Sequence, residues 1–297
     1  MSTKLMARVR LTLEMIKFEH SVFALPFALT GALLAVREDV FRTNKLGWKV
    51  FWIIVAMVGA RSAAMTFNRI LDADLDARNP RTANRHLPAG LLSKGFAWCF
   101  LAASSVVFLT AAAALNDLCF RLAPIALAIV FFYSFTKRFT SLSHLVLGFA
   151  LGVAPAAAWI AIRGSLDVRI LWLTAAVTFW TAGFDVIYAC QDYEFDTTEG
   201  LFSIPGRLGV SGGLWIARLL HVAMLICLAE LIRSFSLGPI SIIGLAAVTI
   251  LLAYEHSLVK AGDLSRVNAA FFTINGYVGV LFFLFWAADI VFIRRGA

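Results

Sequence analysis

The sequence predicts an all-α integral membrane protein. Nine transmembrane helices form two four-helix halves plus a ninth helix, around a central cavity opening to the cytoplasmic side. Three observations predict it. Hydrophobic residues make up 61% of the 297 and charged residues only 15%, against about 25% charged in a typical soluble domain. Mean hydropathy is +0.84. Nine segments each supply the roughly twenty largely apolar residues that a bilayer-spanning helix needs.

In chain order these segments are 20–37, 48–71, 95–115, 118–136, 142–162, 168–190, 212–232, 236–255 and 269–293. Before them, Lys4, Arg8, Arg10 and Lys17 are interspersed with Leu, Met and Ile. There is no uninterrupted apolar run or small-residue cleavage site, so this stretch reads as a basic amphipathic lead-in on the cytoplasmic surface rather than a cleaved signal. Connections such as Asn116-Asp117 and the RSFS at 233–236 are very short and make neighbouring helices antiparallel. Two long hydrophilic loops follow the second and sixth segments. The chain therefore reads as one domain over 1–297, with halves at about 1–137 and 138–257 and the last helix at 269–293. An amino terminus on the inside places the larger share of Lys and Arg on the cytoplasmic face.

Composition also excludes functions. The net charge of +8 is spread over membrane-flanking loops, where it suits anionic lipid, and no basic soluble domain is present for nucleic acid. Cys99, Cys119, Cys190 and Cys227 are scattered without a C-x-x-C pair, as small apolar fillers rather than a disulfide frame or zinc site. Oligomeric state has no signature.

The chemistry gathers in 68–88, NRILDADLDARNPRTANRHLP. Asn68, Asp72 and Asp76 recur every fourth residue and so share one face of a helix. Carboxylates that close repel one another unless a cation lies between them. Arg78, Arg81, Arg85 and His86 follow at once and suit a bound phosphate. Carboxylates and arginines together read as a site for a magnesium-bridged diphosphate. A similar stretch, DVIYACQDYEFD, places Asp185, Asp192 and Asp196 at i, i+7 and i+11, again one helical face. Asp72 to Asp192 spans the same distance in sequence as Asp76 to Asp196, as expected of two half-sites from related halves facing one another. Arg61 lies inside an apolar segment, seven residues before Asn68, where a buried cation without a role is costly. Tyr133 and Lys137 are four apart. An ion-coupled carrier also has two similar halves and intramembrane carboxylates, but carriers place such groups near the bilayer midplane rather than at helix ends beside arginines.

These residues carry a family resemblance. N-x-x-x-D-x-x-x-D at 68–76, running into ARNPRTANRHLPAG, resembles the first motif of the UbiA superfamily of intramembrane aromatic prenyltransferases. Asp185 through Ala189 and Asp192 to Asp196 is similar to its second motif. YSFTKRFTSLSHLVLG, from Tyr133, resembles the segment between them, and IKFEHSVFALPFAL, with Lys17 and Pro26, the start of the first helix. Within the superfamily the chain is most similar to the branch that prenylates 4-hydroxybenzoate for quinone biosynthesis, including the menaquinone (futalosine-type) branch. Two departures bear on the acceptor. Arg69 stands where many members have Asp, with Asp74 added further on, and Phe202 of GLFSIP stands at a Lys position.

The resemblance implies magnesium-dependent transfer of a polyprenyl group from its diphosphate to the ring carbon beside a phenol hydroxyl of an aromatic acid, in the bacterial inner membrane. Asp72 and Asp76 are then expected to hold one Mg2+ and Asp192 and Asp196 another, with Asn68 as a neutral oxygen partner. Arg81, Arg85, Tyr133, Lys137 and Arg138 bind diphosphate, and Arg61 and Lys17 the acceptor carboxylate. Asp185, Asp192 or pyrophosphate takes the ring proton.

Overall fold

The computed structural model describes residues 10–16, 24–38 and 45–293, and every regular element among them is helical. In chain order they are α1 Leu25–Arg37, α2 Leu46–Arg78, α3 Lys94–Leu115, α4 Asp117–Thr136, α5 Ser143–Arg163, α6 Leu171–Ala189, the short α7 Tyr193–Thr198, α8 Ile204–Ser234, α9 Pro239–Leu258 and α10 Asn275–Phe292. Among the described residues eight helical segments are long and apolar enough to cross a membrane, which makes the chain a multi-pass membrane protein. The apolar α1 has 13 residues. At about 1.5 Å per residue it reaches roughly 20 Å of a hydrocarbon core of about 30 Å, and positions 20–23 of the predicted first span lie outside the described residues.

Predicted and observed helix edges differ most at the two acidic stretches. The second helix continues to Arg78 rather than ending near 71, so Asn68, Asp72 and Asp76 sit inside a regular helix. It stops where Pro80 disfavours a helical conformation for Asn79. The long loop expected after the sixth span is mostly helical. A 3-10 turn, Cys190–Asp192, leads into α7, and only 199–203 separate α7 from α8. α8 starts earlier than predicted because Ser203 caps it, its hydroxyl accepting from the Gly206 N–H at 3.1 Å, with Pro205 in the first turn. The helix then kinks at Gly209 (φ 73°, ψ 167°), a conformation that glycine adopts at little cost.

The chain folds into two compact units. The first comprises 1–22 and 51–134, the second 23–50 and 135–297. In the first, α2 and α3 approach closely at Gly59, where an added Cβ would lie 3.0 Å from the Phe108 backbone nitrogen. Phe67 packs on Phe131 with ring centroids 4.8 Å apart. Met15 and Ile16, from the lead-in, are buried with Ala73, Leu87, Leu92 and Ala97, so that part of the lead-in packs against the acidic end of α2.

The second unit is centred on α6. Gly148 and Gly152 of α5 form a G-x-x-x-G seam against it, the small-residue contact by which membrane helices approach backbone to backbone. A Cβ at Gly148 would lie 2.1 Å from the Thr178 carbonyl oxygen, and one at Gly152 2.7 Å from that of Thr174. Phe27, Trp180, Phe282 and Trp286 build the aromatic core, with Phe27 stacked on Phe282 at 4.5 Å. A π-helical turn, Ala269–Ile274, precedes α10. Asn275 follows it and donates to the Ala270 carbonyl and to Glu255 of α9, while its own oxygen accepts from Trp180 Nε1 at 2.7 Å. Asp289 of α10 caps α9 from outside, accepting from the N–H groups of Gly238 at 2.6 Å and Ser241 at 3.1 Å. Where α6 begins, Arg169 grips Asp167 and Glu38 together, and its hydrogen bonds hold the Asp167 carboxyl below the usual carboxylate range.

Gly148→Val should cost about 1–3 kcal/mol by overpacking the seam, read as a lower melting temperature in detergent. Gly47→Ala, where an added Cβ meets nothing within 4 Å, should not lower it.

Candidate active site

In the first unit, helical spacing puts Asp72 and Asp76 on one side of α2, and both are buried, at 3% and 5% exposure. The Asn68 amide donates to Asp72 Oδ2 at 3.1 Å, one turn away. Arg85 folds back from the loop and donates to Asp76 Oδ1 at 2.6 Å, a charge-assisted bond. Thr82 Oγ1 reaches the Asp76 carbonyl at 3.0 Å, and Asn79 Oδ1 accepts from the Arg81 N–H at 2.9 Å. Those turn contacts hold the arginine-bearing loop over the end of α2. Asp76 Oδ2 is buried and has no hydrogen-bond partner among the described residues. Arg69 Nη1 lies 3.9 Å from it. Asp74 points elsewhere, to Lys94 at 3.2 Å. Arg61 is half-buried on α2, and its Nε is buried with no hydrogen-bond partner among the described residues. Tyr133 is half-buried near the end of α4, while the Arg81 side chain is exposed.

In the second unit, α6 carries Asp185, but the predicted face does not run on unbroken to Asp196. The α-helix ends at Ala189, and Asp192 closes the 3-10 turn before α7 carries Asp196. A 3-10 turn winds tighter than an α-helix, so the three aspartates are not on one continuous α-helical stripe. Asp196 is held from the following loop: the Ser203 hydroxyl hydrogen-bonds its carboxylate, and the Leu201 N–H donates to its carbonyl at 2.8 Å. The Phe202 N–H donates to the Lys137 carbonyl at 2.8 Å, so the GLFSIP loop also anchors the Lys137-Arg138 turn. Lys137 follows the last residue of α4, so the four-residue step from Tyr133 leaves the helix at its end. Asp185 Oδ2 meets His144 Nδ1 of α5 at 2.7 Å.

Three residues here escaped the sequence reading. His144 lies inside the segment from Tyr133 that carries the resemblance, but a single histidine at a helix start has no local signature. Ser203 signals itself only as a serine two residues ahead of Pro205, the pattern of a helix start. Arg69 counted as a departure and proves to be the second cation near Asp76. Lys17 lies outside the described residues.

A magnesium ion takes few protein carboxylates and completes its shell with phosphate and water. Among the described residues no three His, Cys, Asp or Glu side chains converge into an all-protein cage. The donors present fit the open kind of site: hard oxygens in pairs four residues apart, one of them, Asp76 Oδ2, buried and lacking a hydrogen bond.

The UbiA prenyltransferase family model matches residues 24–288, which puts the protein in the class of membrane-embedded prenyltransferases. The chain belongs to the UbiA prenyltransferase family. It is 31% identical over 234 residues to the 4-hydroxybenzoate octaprenyltransferase of Vibrio cholerae, covering 77% of this chain and 81% of that relative. It is 32% identical over 240 residues to the enzyme of the same name from Saccharophagus degradans, covering 80% and 79%. Among solved structures, the apo structure of a UbiA homologue from Aeropyrum pernix K1 superposes with a TM-score of 0.82 at 33% identity, covering 92% of this chain and 98% of that one. A UbiA homologue from Archaeoglobus fulgidus, solved bound to GPP and Mg2+, gives 0.73 at 21% identity over 94% and 99%, a likeness of fold.

Ser203→Ala should remove both the α8 cap and the bond to Asp196, costing about 1 kcal/mol and lowering the melting temperature. Ser203→Thr, which keeps a capping hydroxyl, should recover most of the loss.

Proposed function

We propose that this protein transfers a polyprenyl group from polyprenyl diphosphate to 4-hydroxybenzoate, at the ring carbon beside the hydroxyl, in respiratory quinone biosynthesis. The site would face the cytoplasm from the bacterial inner membrane. The observation that carries the reading is Asp76, a buried carboxylate with one oxygen bonded to Arg85 and the other without a hydrogen bond, on the face it shares with Asp72. A magnesium-bridged diphosphate satisfies such a group. The names of the relatives at about 30% identity support the acceptor.

Each acidic stretch would hold one ion, Asp72 and Asp76 in the first and Asp192 and Asp196 in the second, with Asn68 as a neutral oxygen. When bound, Mg2+ stabilises the charge that develops on the diphosphate as the allylic bond to oxygen breaks. Arg81, Arg85, Lys137 and Arg138, with the Tyr133 hydroxyl, would bind the diphosphate and hold it in one orientation. Asp76 keeps Arg85 aimed for that task, and the bond from Phe202 to the Lys137 carbonyl fixes the Lys137 turn. Arg61 would pair with the acceptor carboxylate: a guanidinium inside a membrane span whose Nε lacks a hydrogen bond is suited to an anionic ligand. Lys17 is proposed as its second contact. Asp185 stands beside Asp192 and pyrophosphate as an acceptor for the ring proton.

A second reading rests on Phe202, 46% exposed, at the position where many ubiquinone-pathway enzymes that the chain resembles have Lys. It assigns a menaquinone-pathway aromatic acid as acceptor, with the same metal and diphosphate chemistry. Family membership leaves no ground for the ion-coupled carrier.

Membranes containing the protein, given labelled 4-hydroxybenzoate, a polyprenyl diphosphate and Mg2+, should form a lipid-soluble product that a chelator abolishes. Asp72→Ala and Asp192→Ala should each lose turnover while the protein stays inserted, and retained activity would refute the metal assignment. Product only with another aromatic acid would establish the second reading.

A further inference from the structure

We propose that His144 is a positioning residue for the prenyl transfer and acts through Asp185; the proposal rests on the function argued above. His144 is buried at 4% exposure in the first turn of α5, and both of its ring nitrogens are engaged. The Ile204 N–H donates to Nε2 at 3.3 Å. A ring nitrogen that accepts from a backbone N–H carries no proton, so the proton of the neutral imidazole lies on Nδ1. Nδ1 stands 2.7 Å from Asp185 Oδ2 and donates to it.

The main chain at the start of α8 thus sets the tautomer of His144, and the tautomer sets Asp185. One carboxylate oxygen is committed to the imidazole, while the Asp185 side chain keeps 22% of its surface exposed. Indirect orientation of this kind, in which a backbone group fixes the tautomer of a histidine that orients a carboxylate, is how outer partners hold reactive groups in place. The chain supporting it is well secured within the unit. Ile204 follows Ser203, which caps α8 and holds Asp196, so the same turn steadies two of the three aspartates of the second motif. The imidazole is buried, and the Ile204 N–H is held in the first turn of α8.

The test compares His144→Gln with His144→Leu in purified protein, measuring kcat and KM for both substrates. Glutamine can accept from Ile204 N–H through its oxygen and donate to Asp185 through its nitrogen. It should keep kcat within a few-fold of wild type. Leucine keeps the bulk and loses both bonds. It should lower kcat about a hundredfold, the order expected when a reacting group is misplaced by roughly an ångström, with KM for both substrates little changed. In an Asp185→Asn background His144→Leu should cause no further loss, because residues acting as one unit are not additive. That comparison keeps the proposal testable even where His144→Leu lowers stability. Equal kcat in His144→Leu and wild type, a loss in KM alone, or full additivity with Asp185→Asn would overturn the role of His144. No product from wild type with any aromatic acid would instead overturn the proposed function itself.

Discussion

A carboxylate on a helix that crosses a membrane must be partnered inside the protein or by a ligand, because hydrocarbon offers it nothing. Much of this structure follows from that constraint. Asp289 spends both oxygens on the amino terminus of α9, closing a helix end that would otherwise leave N–H groups unsatisfied. Glu255 accepts a hydrogen bond from Asn275, whose amide also ties the π-helical turn to α6. Asp185 is bonded to His144. Asp76 is bonded to Arg85 through one oxygen, and its other oxygen, like Oε2 of Glu255, is buried without a hydrogen-bond partner among the described residues.

The same constraint explains the helix ends. Charges at 72, 74 and 76 look like the exit from a span, yet α2 continues through them to Arg78, because Asn68 and Arg85 meet two of the carboxylates and Asp74 faces outward to Lys94. After α6 the polar run stays helical in short pieces, since Ser203 and the Asp196 carbonyl close the turn between them.

What could be read from sequence was whatever repeats locally. The apolar runs fixed most helices within a few residues, the spacing of Asn68, Asp72 and Asp76 displayed their shared face, and Arg61 stood out as a charge within an apolar run. What could not be read depends on partners distant in the chain. His144 and Asp185 are 41 residues apart, and Asp289 lies 48 residues beyond the second of the amides it caps. A 3-10 turn at Cys190–Asp192 leaves no trace in hydropathy, so the second motif's apparent face was extrapolated through a change of helical pitch. Gly209 resembles any other glycine in an apolar stretch until its positive φ is seen.

The glycine seam between α5 and α6 has a mechanical consequence. Gly148 lies against the Thr178 backbone, and Gly152 against the Thr178 hydroxyl and the Thr174 carbonyl, so no large side chain stands between the two helices at this seam. They act as a single laminated beam, and His144 and Asp185 are mounted one on each ply. Any breathing of the unit therefore carries the two residues along together.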